Sequence, residues 1–302
     1  MSSVPENTGI DTPVFVPTHP FVQTAGADAI LRSCDGADFH VHKTILSLVS
    51  PFFETMFRLP QPQHTSVAPQ TVDMEEDSRT LNSVLRFFYP GTQPIVATLD
   101  ELEKIIERVV GKYDMECVVP LAKQYLEKYA MSHPLHVYGV AFAHGWEDVA
   151  KVAAKECLKL SLRVPDTEPP EGIANLTSTA YYNLLRYHFK CATAAKATAE
   201  SLTWIQNRDA YCWFRCGVCP YAQLDGYSGR SWLAQFLIKM KDALAVKPAL
   251  DIRNDPLFFE AIRTAVTCSG QCRVNALDNL SSFVTVWEGK IAEEIAKVEW
   301  KF

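Results

Sequence analysis

Four cysteines in the second half of the chain have the type and spacing to hold a metal ion. They are Cys216-x2-Cys219 in "CGVC" and Cys268-x3-Cys272 in "CSGQC". Thiolates are soft ligands, and four of them satisfy a tetrahedral zinc ion without other donors. No position is left open for a reactant, so the chemistry expected is structural and not catalytic. Residues 220–267 separate the two pairs and no finger pattern surrounds them. Two sets of buried free cysteines are the other reading.

Cys216 and Cys219 taken alone suggest an enzyme, a redox dithiol. That needs a strand-to-helix junction in a thioredoxin-like sheet. The surrounding "WIQNRDAYCWFRCGVCPYAQ" supplies no such pattern. Its aromatic residues Trp204, Tyr211, Trp213 and Phe214 read as an inter-helix packing knot. His40 and His42 flank Val41 and would share one face of a strand, but no third ligand lies near them in sequence. They read as scaffold. Glu75, Glu76 and Asp77 read as a solvated strand end and helix start, where the helix dipole favours anions. The nucleotide, zinc-protease and serine-hydrolase motifs are absent from the string. The expectation is a protein that performs no catalysis.

The elements that position these residues belong to a chain of 302 residues with 48 % hydrophobic and 21 % charged content, ordinary for a globular protein. No apolar run reaches the ~18 residues that a membrane span needs. The start, "MSSVPENTGIDTPVFVPTHPF", lacks the basic and apolar regions of a secretory signal and reads as a polar tail. Nine cysteines, an odd number with no secretory route, point to a reducing compartment, cytoplasmic or nuclear. Residues 1–132 carry 10 Lys/Arg and 17 Asp/Glu, net −7; residues 133–302 carry 19 and 18, net +1. Neither half has the basic stripe that nucleic acid selects, so no nucleic-acid or membrane partner is expected.

"DAILRSC" and "DFHVHK" are strand candidates joined by an Asp-Gly turn, and so a hairpin. "KTILSLVSPFFETMFR" then takes the helical period. Ile45, Leu48 and Val49 share a face, Ser50-Pro51 restarts the helix, and Phe52, Phe53, Met56 and Phe57 form the next apolar face. "LPQPQHTSVAPQ" is a loop and "TVDMEED" a third strand. Two helices follow: one with Leu81, Val84, Leu85 and Phe88 on a face, and one capped by Thr98 and Glu101 and ending at Gly111. Pro120 opens another. From residue 133 the pattern is helical: a pair joined at Gly145, a Pro-rich loop "RVPDTEPPEG", the segment "TSTAYYNLLRYHFKCATAAKATAESLTWI", and a last amphipathic helix with Leu277, Leu280, Val284, Trp287 and Ile291 on one side.

The stretch "DAILRSCDGADFHVHKTILSLVSPFFETMF", with "LRFFYPGTQPI" downstream, resembles a BTB/POZ domain. The residues that carry the likeness are Asp35, Phe39 with His42-Lys43, Ile45-Leu46, and Ser50 to Phe53. The chain also resembles the fungal, mushroom-type branch of BTB proteins through "EEDSRTLNSVLRFFYPG", "AHGWEDVAKVAAK", "CGVC" and "CSGQCR". The resemblance implies an α+β BTB/POZ domain over 23–130, after a flexible tail over 1–22 and before an all-helical C-terminal region over 131–302. It implies protein partners, with self-association into a homo-oligomer or adaptor assembly. Some relatives recruit a cullin ubiquitin ligase, so a substrate adaptor is an alternative. The loop 59–70 lacks the hydrophobic-x-Glu motif that some cullin binders place there.

Overall fold

The computed structural model describes residues 15–23, 26–59, 69–162, 172–224 and 227–302. The chain divides into two compact units, Met1–Leu126 and Glu127–Phe302. Most of the Pro/Gln-rich loop and most of "RVPDTEPPEG" lie outside the described residues, as do residues 1–14 of the expected tail.

The first unit begins with the expected hairpin. β1 (Ala29–Arg32) and β2 (Asp38–Val41) pair antiparallel, Ala29 opposite Val41 and Arg32 opposite Asp38. Gly36 takes a φ of 88° in the turn, a conformation that side-chain-bearing residues rarely adopt. Asp35 beside it accepts hydrogen bonds from Ser33 Oγ, Ser78 N and Ser78 Oγ. One carboxylate therefore ties the hairpin turn to the start of α3 (Ser78–Arg86). β3 (Gln70–Asp73) joins the other edge of β1 in parallel, giving the strand order β2-β1-β3.

Between β2 and β3 lie α1 (Lys43–Val49) and α2 (Pro51–Arg58). Ser50 accepts from Phe53 N as the N-cap of α2, with Pro51 at its first position, as the restart signal predicts. The faces differ from the expectation. Leu48 is 85 % exposed and Leu46 is the one buried residue of α1; Phe52 is 39 % exposed and Phe53 is buried. Burying a side chain of this kind contributes roughly 1.5–3 kcal/mol, so Phe53 anchors α2.

α3 buries Leu81, Val84 and Leu85 as expected; beyond its end Phe87 is buried and Phe88 only half so. Thr98 caps α4 (Leu99–Ile106), while the Glu101 carboxylate accepts from Ala97 N. The chain does not stop at Gly111 as a plain helix. It widens into a π-helical turn, Glu107–Lys112, and a short 3-10 turn leads to α5 (Val119–Glu127). The expected tail also ends sooner than residue 22. Phe21 is fully buried, its ring 4.9 Å from Tyr89, and its carbonyl accepts from His40 N.

The second unit opens with α6 (Pro134–Ala143) and α7 (Glu147–Cys157), joined through Gly145 at φ 69°. The long α8 (Ser178–Glu200) packs against α10 (Ser231–Val246) and α12 (Gln271–Ala296). α11 (Pro256–Ala265) lies between α10 and α12 in the chain and contacts both. Leu280, Val284, Trp287 and Ile291 of α12 face inward, but Leu277 is 53 % exposed. The region is not wholly helical: β4 (Tyr221–Leu224) and β5 (Tyr227–Arg230) form a two-stranded antiparallel hairpin after the short α9 (Cys212–Arg215). The aromatic knot is core. The Tyr211 and Trp213 rings stack at 4.8 Å, and Trp232 and Phe283 meet Trp213 edge-on at 5.6 Å. Trp204 and Phe214 pack on its margin, half-buried.

Candidate functional site

α9 is one turn long, and Cys216 stands at its end. Cys216 N donates to Cys212 O at 2.8 Å and closes the turn, after which the chain becomes extended at Cys216. "CGVC" follows, and the β4–β5 hairpin holds its far end: Arg230 donates to the Cys219 carbonyl at 2.8 Å, and Ser231 N to the Pro220 carbonyl. The second pair straddles the turn from α11 to α12. Cys268 N donates to Ala265 O, Gly270 is the N-cap of α12, and Cys272 lies in its first turn. Asn279 of α12 accepts from Cys212 N at 2.7 Å, which fixes α12 to α9.

This packing brings Cys216, Cys219, Cys268 and Cys272 together, with all four sulfurs within 4.8 Å of one another and all four residues buried. Cys216 and Cys268 Sγ are 3.6 Å apart. Backbone N–H groups point at the sulfurs. Cys219 N and Val218 N donate to Cys216, and Gly270 N donates to Cys268 Sγ at 3.2 Å. Burial alone would raise the Cys216 thiol, yet these donors, with the Cys268 and Cys272 thiols, bring it down to about 6. Burial, helped by neighbouring thiols, pushes Cys219 well up, and burial raises Cys272 to about 12. The indole N–H of Trp232 is buried without a hydrogen-bond partner at normal geometry, and the Cys272 sulfur lies beside it.

A fifth thiol belongs to the same core. Cys212 is fully buried, and burial raises its thiol while the neighbouring Cys272 thiol eases that rise. The metal-ligand spacing did not single it out; its i,i+4 relation to Cys216 was the available signal. "CGVC" runs from a one-turn helix into a hairpin, not from a strand into the helix of a thioredoxin-like sheet.

The other sequence candidates are placed as follows. His42 is the N-cap residue of α1; its N–H donates to Tyr89 Oη at 2.7 Å and its Nδ1 lies 3.2 Å from the same oxygen. Asp28 accepts from Lys43 N, a cap for α1 contributed from outside the helix. Among the described residues, the cysteine quartet is the group with metal-ligand geometry, and neither histidine belongs to it. Asp77 caps α3 and Glu75 is exposed, as expected, but Glu76 is buried. Its carboxylate meets Lys112, Arg108 and Tyr113, so it is a structural anion of the core.

The first unit has its three-stranded mixed sheet with α1 and α2 inserted between β2 and β3, and α3 to α5 after it. Residues 20–130 match the BTB/POZ domain family. The N-terminal part of the chain is a BTB/POZ domain. No curated protein matches the chain, so the likeness to the fungal branch rests on the quoted segments alone. On the BTB/POZ domain, Leu48 and Leu59 are 85 % and 57 % exposed. A hollow of about 520 Å³ opens along α2, lined by Pro51, Phe52, Thr55, Met56, Leu59 and Asp114. No helix among the described residues is long and apolar enough to cross a membrane.

Proposed function

We propose that this protein is a non-catalytic assembly subunit. Its BTB/POZ domain self-associates or holds a protein partner, and a structural zinc ion braces its C-terminal unit. The single observation that carries the assembly reading is the family match over residues 20–130, because BTB/POZ domains mediate protein–protein interaction. The exposed apolar side chains on α1 and α2 support it, since burial at a partner surface is worth about 25 cal/mol per Å² of apolar area. The test is sedimentation of the full chain across a micromolar range. A species heavier than 33.9 kDa is expected, and a strict monomer that captures no partner would count against the reading.

Zinc is the ion the donor set suits. Four sulfurs within 4.8 Å match tetrahedral thiolate coordination. The N–H groups of Val218, Cys219 and Gly270 disperse thiolate charge, and the buried Trp232 N–H gains an acceptor once Cys272 is a thiolate. Cys216, Cys219, Cys268 and Cys272 would hold the ion, which supplies a cross-link between segments far apart in sequence and no reactive position. Elemental analysis of chain purified without chelators should find close to one zinc per chain.

A further inference from the structure

We infer that the cysteine cluster is an oxidation site for peroxide, in which Cys216 and Cys268 join as a disulfide. This rests on the zinc reading of the same four sulfurs. Cys216 and Cys268 Sγ already touch at 3.6 Å although the residues are 52 positions apart. Cys219 and Cys268 are each 8 % exposed, whereas Cys216 and Cys272 are sealed at 1 % and 0 %. A small oxidant therefore arrives at the Cys219 and Cys268 side, and of these two Cys268 is the one in contact with Cys216.

The step balances with hydrogen peroxide as the named oxidant. The Cys268 thiolate attacks one peroxide oxygen, the O–O bond breaks, and hydroxide leaves and is protonated to water. The resulting sulfenic acid is attacked at sulfur by the Cys216 thiolate, the S–O bond breaks, and a second water forms. Two sulfurs lose one electron each and two oxygens gain one each. A disulfide sulfur is a poor zinc ligand, so two of the four ligands go at once and the ion departs as the divalent cation.

Departure of the ion leaves Cys219 and Cys272 as free thiols. The disulfide connects the α9 segment to the α11–α12 segment, the same two segments the ion spans. Oxidation thus exchanges a metal cross-link for a covalent one. The oxidised, zinc-free unit keeps its core closed, whereas the reduced, zinc-free unit loses it.

The experiment uses the full chain. Metal content is measured first; peroxide is then titrated while released zinc is read with a chromogenic chelator, and disulfides are mapped on unreduced peptides by mass spectrometry. The expected result is about one zinc released per two thiols lost, with a Cys216–Cys268 linked peptide as the first product. Zinc that stays bound while the exposed Cys34 and Cys117 are fully oxidised overturns the inference, as does a Cys216–Cys219 link in place of Cys216–Cys268. A chain that holds no zinc at the outset overturns the zinc reading alone. The Cys216–Cys268 link is then read on the metal-free chain, where its absence overturns the pairing.

Discussion

The Tyr113 hydroxyl donates a 2.6 Å hydrogen bond to Glu76 Oε2, joining the residue after the π-helical turn to the segment that leads into α3. Lys112 Nζ meets the other carboxylate oxygen at 2.8 Å, and Arg108 Nε lies 3.5 Å from it. Burial works against ionisation of Glu76, but the hydrogen bonds from Lys112 and Tyr113 outweigh it and hold the carboxyl below its ordinary value.

That direction sets a pH dependence. A carboxylate whose pKa is depressed on folding contributes stability that is present above its unfolded pKa, roughly 4.3, and lost as pH falls through the folded value. Denaturant titrations of the wild-type chain should show the BTB/POZ transition weakening below about pH 4. Glu76→Gln should flatten that slope. Tyr113→Phe should cost about 1.5–3 kcal/mol at neutral pH, the worth of a hydrogen bond to a buried charge. An unchanged slope in Glu76→Gln would show that other carboxylates dominate acid unfolding.

The neighbouring phenylalanines of α2 should behave differently. Phe53 is 1 % exposed and its ring lies 5.0 Å from that of Tyr113. Phe53→Ala should destabilise the BTB/POZ domain by about 3–5 kcal/mol through lost burial and a residual cavity. Phe52→Ala, at a position 39 % exposed, should cost much less and act mainly on self-association or partner capture. Urea unfolding followed by circular dichroism separates the two, and equal losses would place both rings in the core.

In the second unit, Trp287 Nε1 donates to Thr198 Oγ1 at 2.7 Å, and that hydroxyl donates onward to Ala195 O at 2.6 Å. α12 and α8 are thereby joined by a buried polar contact inside an apolar core. Thr198→Val keeps the shape but strands the indole N–H, which should cost about 1–3 kcal/mol. Trp287→Phe should cost a similar amount through the space it leaves. Because the residues touch, the double variant should lose less than the sum of the two single losses. Strict additivity would argue that the hydrogen bond contributes nothing.

Loss of the proposed zinc ion should act on one unit only. Cys216→Ser, or a strong chelator on the wild-type chain, is expected to lower metal content and the melting temperature of the Glu127–Phe302 unit while the BTB/POZ transition stays in place. Calorimetry resolves the two transitions. A Cys216→Ser chain that melts like the parent would return the cluster to ordinary buried thiols.

Short-range signals in the amino-acid string were enough for the frame. Asp35-Gly36 specified a turn, Ser50-Pro51 a helix start, Thr98 a cap and Gly145 a reversal, and each is realised. Each is written in a few adjacent residues, because capping bonds and left-handed φ values need no distant partner. The BTB/POZ likeness was legible for the same reason: its marks lie within short runs. The cysteine pairs were legible as pairs, their spacing being local.

What remained to the tertiary structure was coverage. Leu48 and Leu277 stand at apolar positions of amphipathic helices and face solvent, Phe53 and not Phe52 enters the core, and Phe21 packs where a free tail was expected. Glu76 looked like its solvated neighbours and is buried, because Lys112, Arg108 and Tyr113 arrive from beyond α4 to neutralise it. The β4–β5 hairpin pins Cys219 by an arginine contact that no periodicity announces. Whether Cys216-x2-Cys219 and Cys268-x3-Cys272 make one site or two depended on how α9, α11 and α12 pack. Spacing along a chain fixes the direction of side chains within one turn, while distance across residues 220–267 is set by which apolar faces bury one another.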